Sequence, residues 1–395
     1  MSPFSLFPVF GKGCLNVLRR TLLGLALIAL LPMRTSAADP LSIDVMLPLT
    51  GPAAFAGEAQ THVVQAMERL VNRTGGIHGR PVHFEIHDDQ SSPTIAVQIV
   101  NELLPKKPVV ILGPSVAATC SAISPLLAGG IGPVNYCFSP VAVPPRGGYV
   151  FAATAPGEAL IGSEVAHMKA MGFKRAALLV ATDASGQQNA THFTNFLSAP
   201  DSPLKLVADE RFSPSAVSIA AQVSKVKAAN PDVLLAWANG TAFVMTMREI
   251  SNAGMDVPVI TNPFNADNDL LRRNAAIVPK ALVVQGLPYQ GKRPSRALRG
   301  AGLEYVNALK DAGVAAPSVI MGYAWDPIKI TIAALRALPE NATPAQLHDY
   351  LEKLHDFPGL FGLYDLRGGD QFGQNGADLP LVKWDAARGE WTPLT

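Results

Sequence analysis

The sequence predicts an α/β protein with parallel sheets that helices cover on both faces. Three observations carry this. Short β-rich runs alternate with helical patterns from Ser42 onward. The rhythm restarts near residue 157, which places two such domains side by side in a chain of 395 residues, long enough for both. The segments after the strands are rich in Gly, Ser, Thr and Asn, as suits ligand-binding loops beyond the carboxyl ends of parallel strands.

The elements follow in order. "SIDVMLPL" is a strand, and "EAQTHVVQAMERLVNRT" is a helix with Val63, Val64, Met67, Leu70 and Val71 at helical spacing. "PVHFEIHDD" is the next strand, "TIAVQIVNELLPK" a helix and "PVVILGP" a strand; "AISPLLAGG" ends a helix before the strand "GPVNYCFSP". After residue 157 come a helix to Met171, the strand "RAALLVAT", the helix "NATHFTNFLSA", the strand "LKLVADERF" and the helix "SIAAQVSKVKAAN". "PDVLLAWAN" is a strand, "TAFVMTMREISNAG" a helix and "VPVITN" a strand. The loops to search for a site are "TGPAAFAG", "GPSVAAT", "SPVAVP", "TDASGQQ", "WANGT" and "TNPFNADN".

The stretch from Val71 to Gln90 crowds glycines, histidines and aspartates together. His83 and His87 lie four apart on one strand face, about 13 Å along the chain, too far to share one ion. Gly75-Gly76 stop a helix and Pro81 enters a strand. The stretch reads as a turn, and no metal or cofactor is expected.

Composition is that of an ordinary globular protein: 48% apolar, 16% charged, net charge +1. That charge offers nothing to nucleic acid. Residues 1–38 hold Lys12, Arg19, Arg20 and Arg34 and no acid, so the remainder has 28 basic and 31 acidic residues, a net of −3. The basic start, the apolar run "TLLGLALIALL" and the small residues around Ala37 and Ala38 form the pattern of a cleaved secretory leader. The run is short for a membrane span. Arg19-Arg20 fits either a twin-arginine signal or an ordinary basic leader start, and Cys14 is wrongly placed for a lipoprotein. Periplasmic export with cleavage near Ala38 is the expectation. Cys120 and Cys137 remain after cleavage; a disulfide and two buried thiols are both open.

In this order the features resemble the type I periplasmic solute-binding proteins of ABC transporters, the leucine/isoleucine/valine-binding branch. The residues that carry the likeness are "LPLTGPAAFAGE", "VNRTGGIHGRPVHFEIHDD", "VVILGPSVAA", "PVNYCFSP", "MGFKRAALLVATDASG", "NAGMDVPVITN", "GYAWDPIKITIAAL" and "FPGLFGLYDLRGGDQFGQN". The resemblance implies two Rossmann-like lobes with the ligand cleft between them and three crossovers. It assigns 39–156 and 289–358 to an N-lobe, and 157–288 and the tail 359–395 to a C-lobe. It also implies a monomer that delivers a small solute to a membrane permease.

The branch's amino-acid site is met in part. Its usual serine in the third-strand loop is Ala117 here, flanked by Ser115 and Thr119, with the helix-start amides of Ala118 and Thr119 suited to a carboxylate. Ser139, Pro140 and Ala142 match the next loop, but Val143 replaces its threonine. Ser185 stands for a tyrosine. The acidic partner of a ligand ammonium falls at Asn262, Phe264 or Asn265, all neutral, with Asp267 too far along. Phe55, Trp237, Phe264, Tyr323 and Trp325 are candidate aromatic walls, although each such ring alone is more often core than ligand wall. Trp237 with Asn239 is the preferred one, and Asp326 either faces the cleft or caps a helix.

Three functions stand. The first is the binding component of an ABC importer for an organic acid or amino-acid-like solute. The second is a soluble sensor of the same fold that signals to a membrane or regulatory partner. The third, an exported hydrolase, lacks both a G-x-S-x-G elbow and a nucleophile–base constellation. The protein is therefore expected not to be an enzyme.

Overall fold

The computed structural model describes Met1 and residues 39–394, apart from 128, 131, 140–143, 153, 201, 315 and 316. The expected leader lies outside the described residues. Pro40–Thr395 form one compact unit, and within it lie two lobes, each built on its own sheet.

The first sheet has five strands in the order β2-β1-β3-β4-β5: β1 (Leu41–Leu47), β2 (Val82–Asp88), β3 (Val110–Leu112), β4 (Val134–Cys137) and β5 (Val150–Ala152). All its pairings are parallel. Helices α1 (Ala54–Arg73), α2 (Pro93–Leu103) and α3 (Ala117–Leu127) connect the first four strands. Helix α1 buries Val63, Val64, Met67 and Val71, the stripe that its periodicity predicts. Ser92 accepts from the Ile95 amide and Pro93 opens α2, a cap followed by proline at the first helical position.

The second sheet has seven strands, β14-β13-β10-β9-β8-β6-β7. Strands β6 (Arg175–Ala181), β7 (Lys205–Phe212), β8 (Val233–Trp237), β9 (Val259–Thr261) and β10 (Leu282–Gln285) are parallel. The hairpin β13 (Leu381–Asp385) and β14 (Glu390–Pro393) adds antiparallel to β10. Connecting helices are α4 (Gly157–Ala170), α5 (Ala184–Leu197), α6 (Ala220–Ala228), α7 (Gly240–Asn252) and α8 (Asn268–Arg273). Strand β8 is buried along its whole length, which is why "VLLAW" reads as a continuous apolar run and not as an alternation.

After β10 the chain returns to the first lobe. Helices α9 (Arg296–Asp311) and α10 (Val319–Ala337) pack on α1, and α11 (Pro344–Leu351) packs on β4. A short hairpin, β11 (Phe357–Pro358) with β12 (Leu363–Tyr364), leads back toward β13. The chain thus passes between lobes three times, after β5, after β10 and before β13.

Two local expectations need correction. Helix α5 starts at Ala184 and not at Asn189, because Asp183 accepts from the Gly186 amide at 2.8 Å and caps it. Strand β5 went unrecognised because it has three residues and no alternation.

The Val71–Gln90 stretch is a turn. Gly75, Gly76 and Gly79 all have positive φ, and Asn72 clasps the next strand by bonding both backbone groups of Val82. His87 pairs with Asp44, whereas His83 lies beside Glu68 and Glu85. The two rings have different partners.

Candidate functional site

The loops leaving the carboxyl ends of the strands bound a chamber between the lobes. Ala117 opens α3, Ser139 follows β4, and Thr154 and Ala155 lie on the crossing to α4, whose Gly157 and Leu160 also line the space. The second lobe contributes Ser185, Gln188 and Asn189 of α5, Trp237 at the end of β8, and Asn262, Pro263 and Phe264 after β9. Tyr323 of α10 completes the lining. The chamber encloses about 460 Å³ of non-atom space, part of it open to solvent. A wider mouth shares Ala117 and Ser185 with it and adds Ala118, Asp183 and Asn239.

The chamber's polarity comes from neutral groups. None of its described lining residues is Asp, Glu, Lys, Arg, His or Cys. Trp237 donates its indole N–H to Ser185 Oγ at 2.9 Å. That bond uses an acceptor site of the hydroxyl and leaves its proton for a ligand oxygen. Asn262 donates to Asn239 Oδ1 at 2.7 Å and accepts from the Phe264 amide at 2.9 Å, so one amide hydrogen is left over. Asn189 donates to the Ser185 carbonyl at 2.9 Å, while its own Oδ1 is buried and has no partner among the described residues. That acceptor lies against Gly157, where a Cβ would come within 2.8 Å.

Helix starts add partial positive charge. Helix α3 begins at Ala117 in the chamber, and α5 and α7 begin at its mouth; unpaired first-turn amides make such ends attractive to anions. The Asp183 carboxylate at the mouth is committed to capping α5. Burial pushes its pKa up, opposed by the Gly186 amide, the Asn239 side chain and the Ser185 amide.

Of the residues singled out in the sequence, Ala117, Ser139, Ser185, Trp237, Asn262, Phe264 and Tyr323 meet in the chamber, with Ala118 and Asn239 at its mouth. Phe55 sets its ring edge-on to Phe264 at 6.0 Å across the lobes. Pro140, Ala142 and Val143 lie outside the described residues.

Several others point elsewhere. Ser115 is buried and donates to Gln60 Oε1. Thr119 is buried too, its hydroxyl turned back to the Val116 carbonyl at 2.8 Å. Asn265 braces the loop by donating to the Ala238 carbonyl at 2.8 Å. Trp325 is core, edge-on to Tyr305 at 5.3 Å. Asp267 caps α8 through the Leu270 amide. Asp326 neither faces the chamber nor caps a helix. It sits inside α10, fully buried, and accepts from the Leu360 and Phe361 amides and the Tyr364 hydroxyl. Cys120 and Cys137 lie side by side with Cα atoms 6.0 Å apart, inside the bridging span.

Sequence reasoning missed Thr154, Ala155, Gly157, Leu160, Gln188, Asn189 and Pro263. Gln188 and Pro263 had a signal, since they lie in the loops "TDASGQQ" and "TNPFNADN"; the expected helix start at Asn189 hides the face that Gln188 and Asn189 share with Ser185. The crossing residues had none.

The described lining offers hydrogen-bonding groups and aromatic faces, and no acid–base pair.

Comparison with known proteins gives three findings. The family described as "Periplasmic binding protein" matches residues 40–390. A Leu/Ile/Val-binding protein of Rhizobium johnstonii is 29% identical over 102 residues, which is 26% of this chain and 28% of that protein. The chain thus spans little more than a quarter of that curated relative. Among solved structures, an extracellular ligand-binding receptor from Rhodopseudomonas palustris HaA2 superposes with a TM-score of 0.79 at 22% identity, covering 90% of this chain and 99% of that one. An ABC-transporter solute-binding protein from R. palustris in complex with benzoate gives 0.74 at 18% identity, covering 90% and 95%. At these identities the structures share the fold, and among the described residues no helix is long and apolar enough to cross a membrane.

Proposed function

The chain belongs to the periplasmic binding protein family, and from that premise we propose that it is the extracytoplasmic solute-binding component of an ABC importer. It is exported, loses its leader near Ala38, and works as a monomer that delivers one small solute to a membrane permease. The solute is a carboxylate without an α-ammonium group. Ala117, Ser139, Ser185, Trp237, Asn262, Phe264 and Tyr323 contact it. No bond is made or broken.

The observation that carries this reading is a chamber whose described lining residues are all uncharged, with hydrogen-bond donors but no carboxylate among them. A buried ammonium without a charged partner costs several kcal/mol of desolvation, enough to erase micromolar affinity. A carboxylate costs less there, because the Ser185 hydroxyl, the spare Asn262 hydrogen and the first amides of α3 replace its water. Asn189 Oδ1 is a buried acceptor in the chamber with no partner among the described residues, and as a neutral carbonyl it suits a hydroxyl or amide better than an ammonium. The relative is named for leucine, isoleucine and valine and one fold neighbour holds benzoate; the neutral lining favours the second kind of ligand.

Calorimetric titration of leucine against its deaminated counterpart, 4-methylpentanoate, and against benzoate tests this. The acids should bind more tightly. Micromolar leucine binding with no uptake of either acid would show the reading of the pocket to be wrong.

A further inference from the structure

The mouth outside the chamber is by far the larger space. The centre of a water-sized body can reach about 50 Å³ in the chamber and about 530 Å³ in the mouth. A water needs about 10–15 Å³ of such space, and a cavity of about 150 Å³ holds a benzene ring. The chamber therefore has room for a carboxylate group and little more, whereas the mouth has room for more than one ring.

That room is not a gap between lobes that have yet to meet. Helices α3 and α5 pack across the cleft. Gly240 lies so close to Pro52 that a Cβ would come within 2.5 Å of its carbonyl oxygen, and Phe55 meets Phe264 at 6.0 Å. Pro52 lines the mouth itself, as do Asn239 and Thr241 on either side of Gly240. The hollow persists where the lobes are already in contact.

Its walls suit an apolar body. Ala53, Val116, Ala118, Ala184, Pro214 and Ala242 supply short apolar side chains, with Ser91, Ser215 and Thr241 between them. Asp183 is the one ionisable group among the described lining residues, and its carboxylate is engaged by the Gly186 amide at 2.8 Å.

We infer that the solute is a carboxylate whose apolar body is larger than one benzene ring, bound with its carboxylate inward past Ala117 and Ser185 and its body outward in the mouth. This deepens the proposed function and rests on it for the carboxylate; the size of the body and its outward direction rest on the mouth. A body placed there leaves water for Ala, Val and Pro side chains, and the gain grows with the apolar area covered.

The test varies the body and the mouth in turn. Dissociation constants are measured in three pairs: benzoate with 4-phenylbenzoate, butanoate with octanoate, and 2-aminobutanoate with 2-aminooctanoate. The larger member should bind at least tenfold more tightly in an acid pair. Thr241→Phe and Ser215→Phe each put a ring into the mouth from an exposed position, clear of the groups that hold the carboxylate. Each should cut that ratio at least fivefold and leave the smaller acid within threefold of its wild-type affinity. Ratios below tenfold in every pair overturn the inference, as does no binding by any compound; so does a ratio that neither variant lowers, or a loss shared equally by both members. Benzoate that outcompetes leucine yet equals 4-phenylbenzoate, with butanoate equal to octanoate, sinks this inference and leaves the proposed function standing. A size preference confined to the amino-acid pair, and lowered by the variants, supports the outward body while refuting the reading of an acid without an ammonium.

Discussion

The indole N–H of Trp237 meets the hydroxyl of Ser185 at 2.9 Å, tying the end of β8 to the first turn of α5. Trp237 is nearly fully buried, and an indole can only donate, so the serine must accept. Its proton then points away from the tryptophan. One bond thus fixes an aromatic wall and sets the polarity of the group beside it.

Ser185→Ala should reduce affinity for a bound carboxylate by roughly tenfold, the loss of one hydrogen bond to a charged group. It also leaves the Trp237 N–H dry, at a stability cost of about 1–3 kcal/mol. Calorimetry and chemical denaturation read the two effects separately. Unchanged affinity would remove Ser185 from the ligand's contacts.

Gly240 tests closure. It opens α7 with φ +56°, and a Cβ there would lie 2.5 Å from the Pro52 carbonyl oxygen and 3.2 Å from the Phe55 ring, both on the first lobe. Gly240→Ala meets the penalty for a left-handed alanine, about 1 kcal/mol, and in addition pushes the lobes apart. Ligand affinity should fall by roughly tenfold or more, since each 1.4 kcal/mol spent on reopening the cleft costs that factor. Small-angle scattering should show the liganded variant more expanded than liganded wild type. Identical profiles with wild-type affinity would mean that these lobes do not meet at Gly240.

Most of the residues that sequence reasoning found lie at strand ends. Trp237 ends β8, and Ser139, Ser185 and Asn262 follow β4, β6 and β9, where the topology of a parallel sheet puts a ligand; Tyr323, on α10, is the exception. Thr154 and Ala155 lie on a crossing, and Leu160 and Asn189 on helix faces. Which face of a helix looks into an interlobe space depends on how the lobes pack, and no periodicity within one chain segment encodes that. Asp326 failed for another reason. Asp followed by Pro327 has the local form of a cap and a first helical residue, yet α10 runs through that proline. The acceptor that Asp326 provides belongs to amides of Leu360 and Phe361, more than thirty residues downstream, so its role is invisible in the local sequence.

The cysteines make a prediction that geometry supports. Cys120 in the first turn of α3 and Cys137 at the end of β4 have Cα atoms 6.0 Å apart and are 17 residues apart in sequence. In an oxidising compartment they should be bridged. Closing a loop of that length stabilises by about 3 kcal/mol in the chain-entropy account. Mass spectrometry of unreduced protein should find a mass two hydrogen atoms lighter than the reduced form, and reduction should lower the denaturation midpoint. Two free thiols in protein recovered from the periplasm would refute the bridge.

The stability of this protein should rise as pH falls from 7.5 to 5. Burial pushes the Asp326 carboxyl up to about 6, against the opposing amides of Leu360 and Phe361 and the Tyr364 hydroxyl. Burial likewise lifts Asp89 to about 6, against the Ser91 amide and with help from the neighbouring Asp88 charge. Unfolded, each titrates near 3.9. Between about pH 4 and pH 6 the folded chain therefore holds protons that the unfolded chain has lost, so stability falls as pH rises through that window. Asp183, Asp267 and Glu164 are shifted in the same direction by burial; His167, lowered by burial, opposes them within the window, and the lowered Asp88 and Asp365 act only below it. Going from pH 7.5 to pH 5 should gain on the order of 1 kcal/mol for each of the two principal carboxyls, at about 1.4 kcal/mol per pH unit of differential protonation. Urea denaturation at both pH values measures it, and Asp89→Asn should flatten the dependence by removing one of the two groups. A midpoint that stays level or drops between pH 7.5 and pH 5 in the wild type would show that these carboxylates are ionised in the folded state, held by their hydrogen bonds in spite of burial.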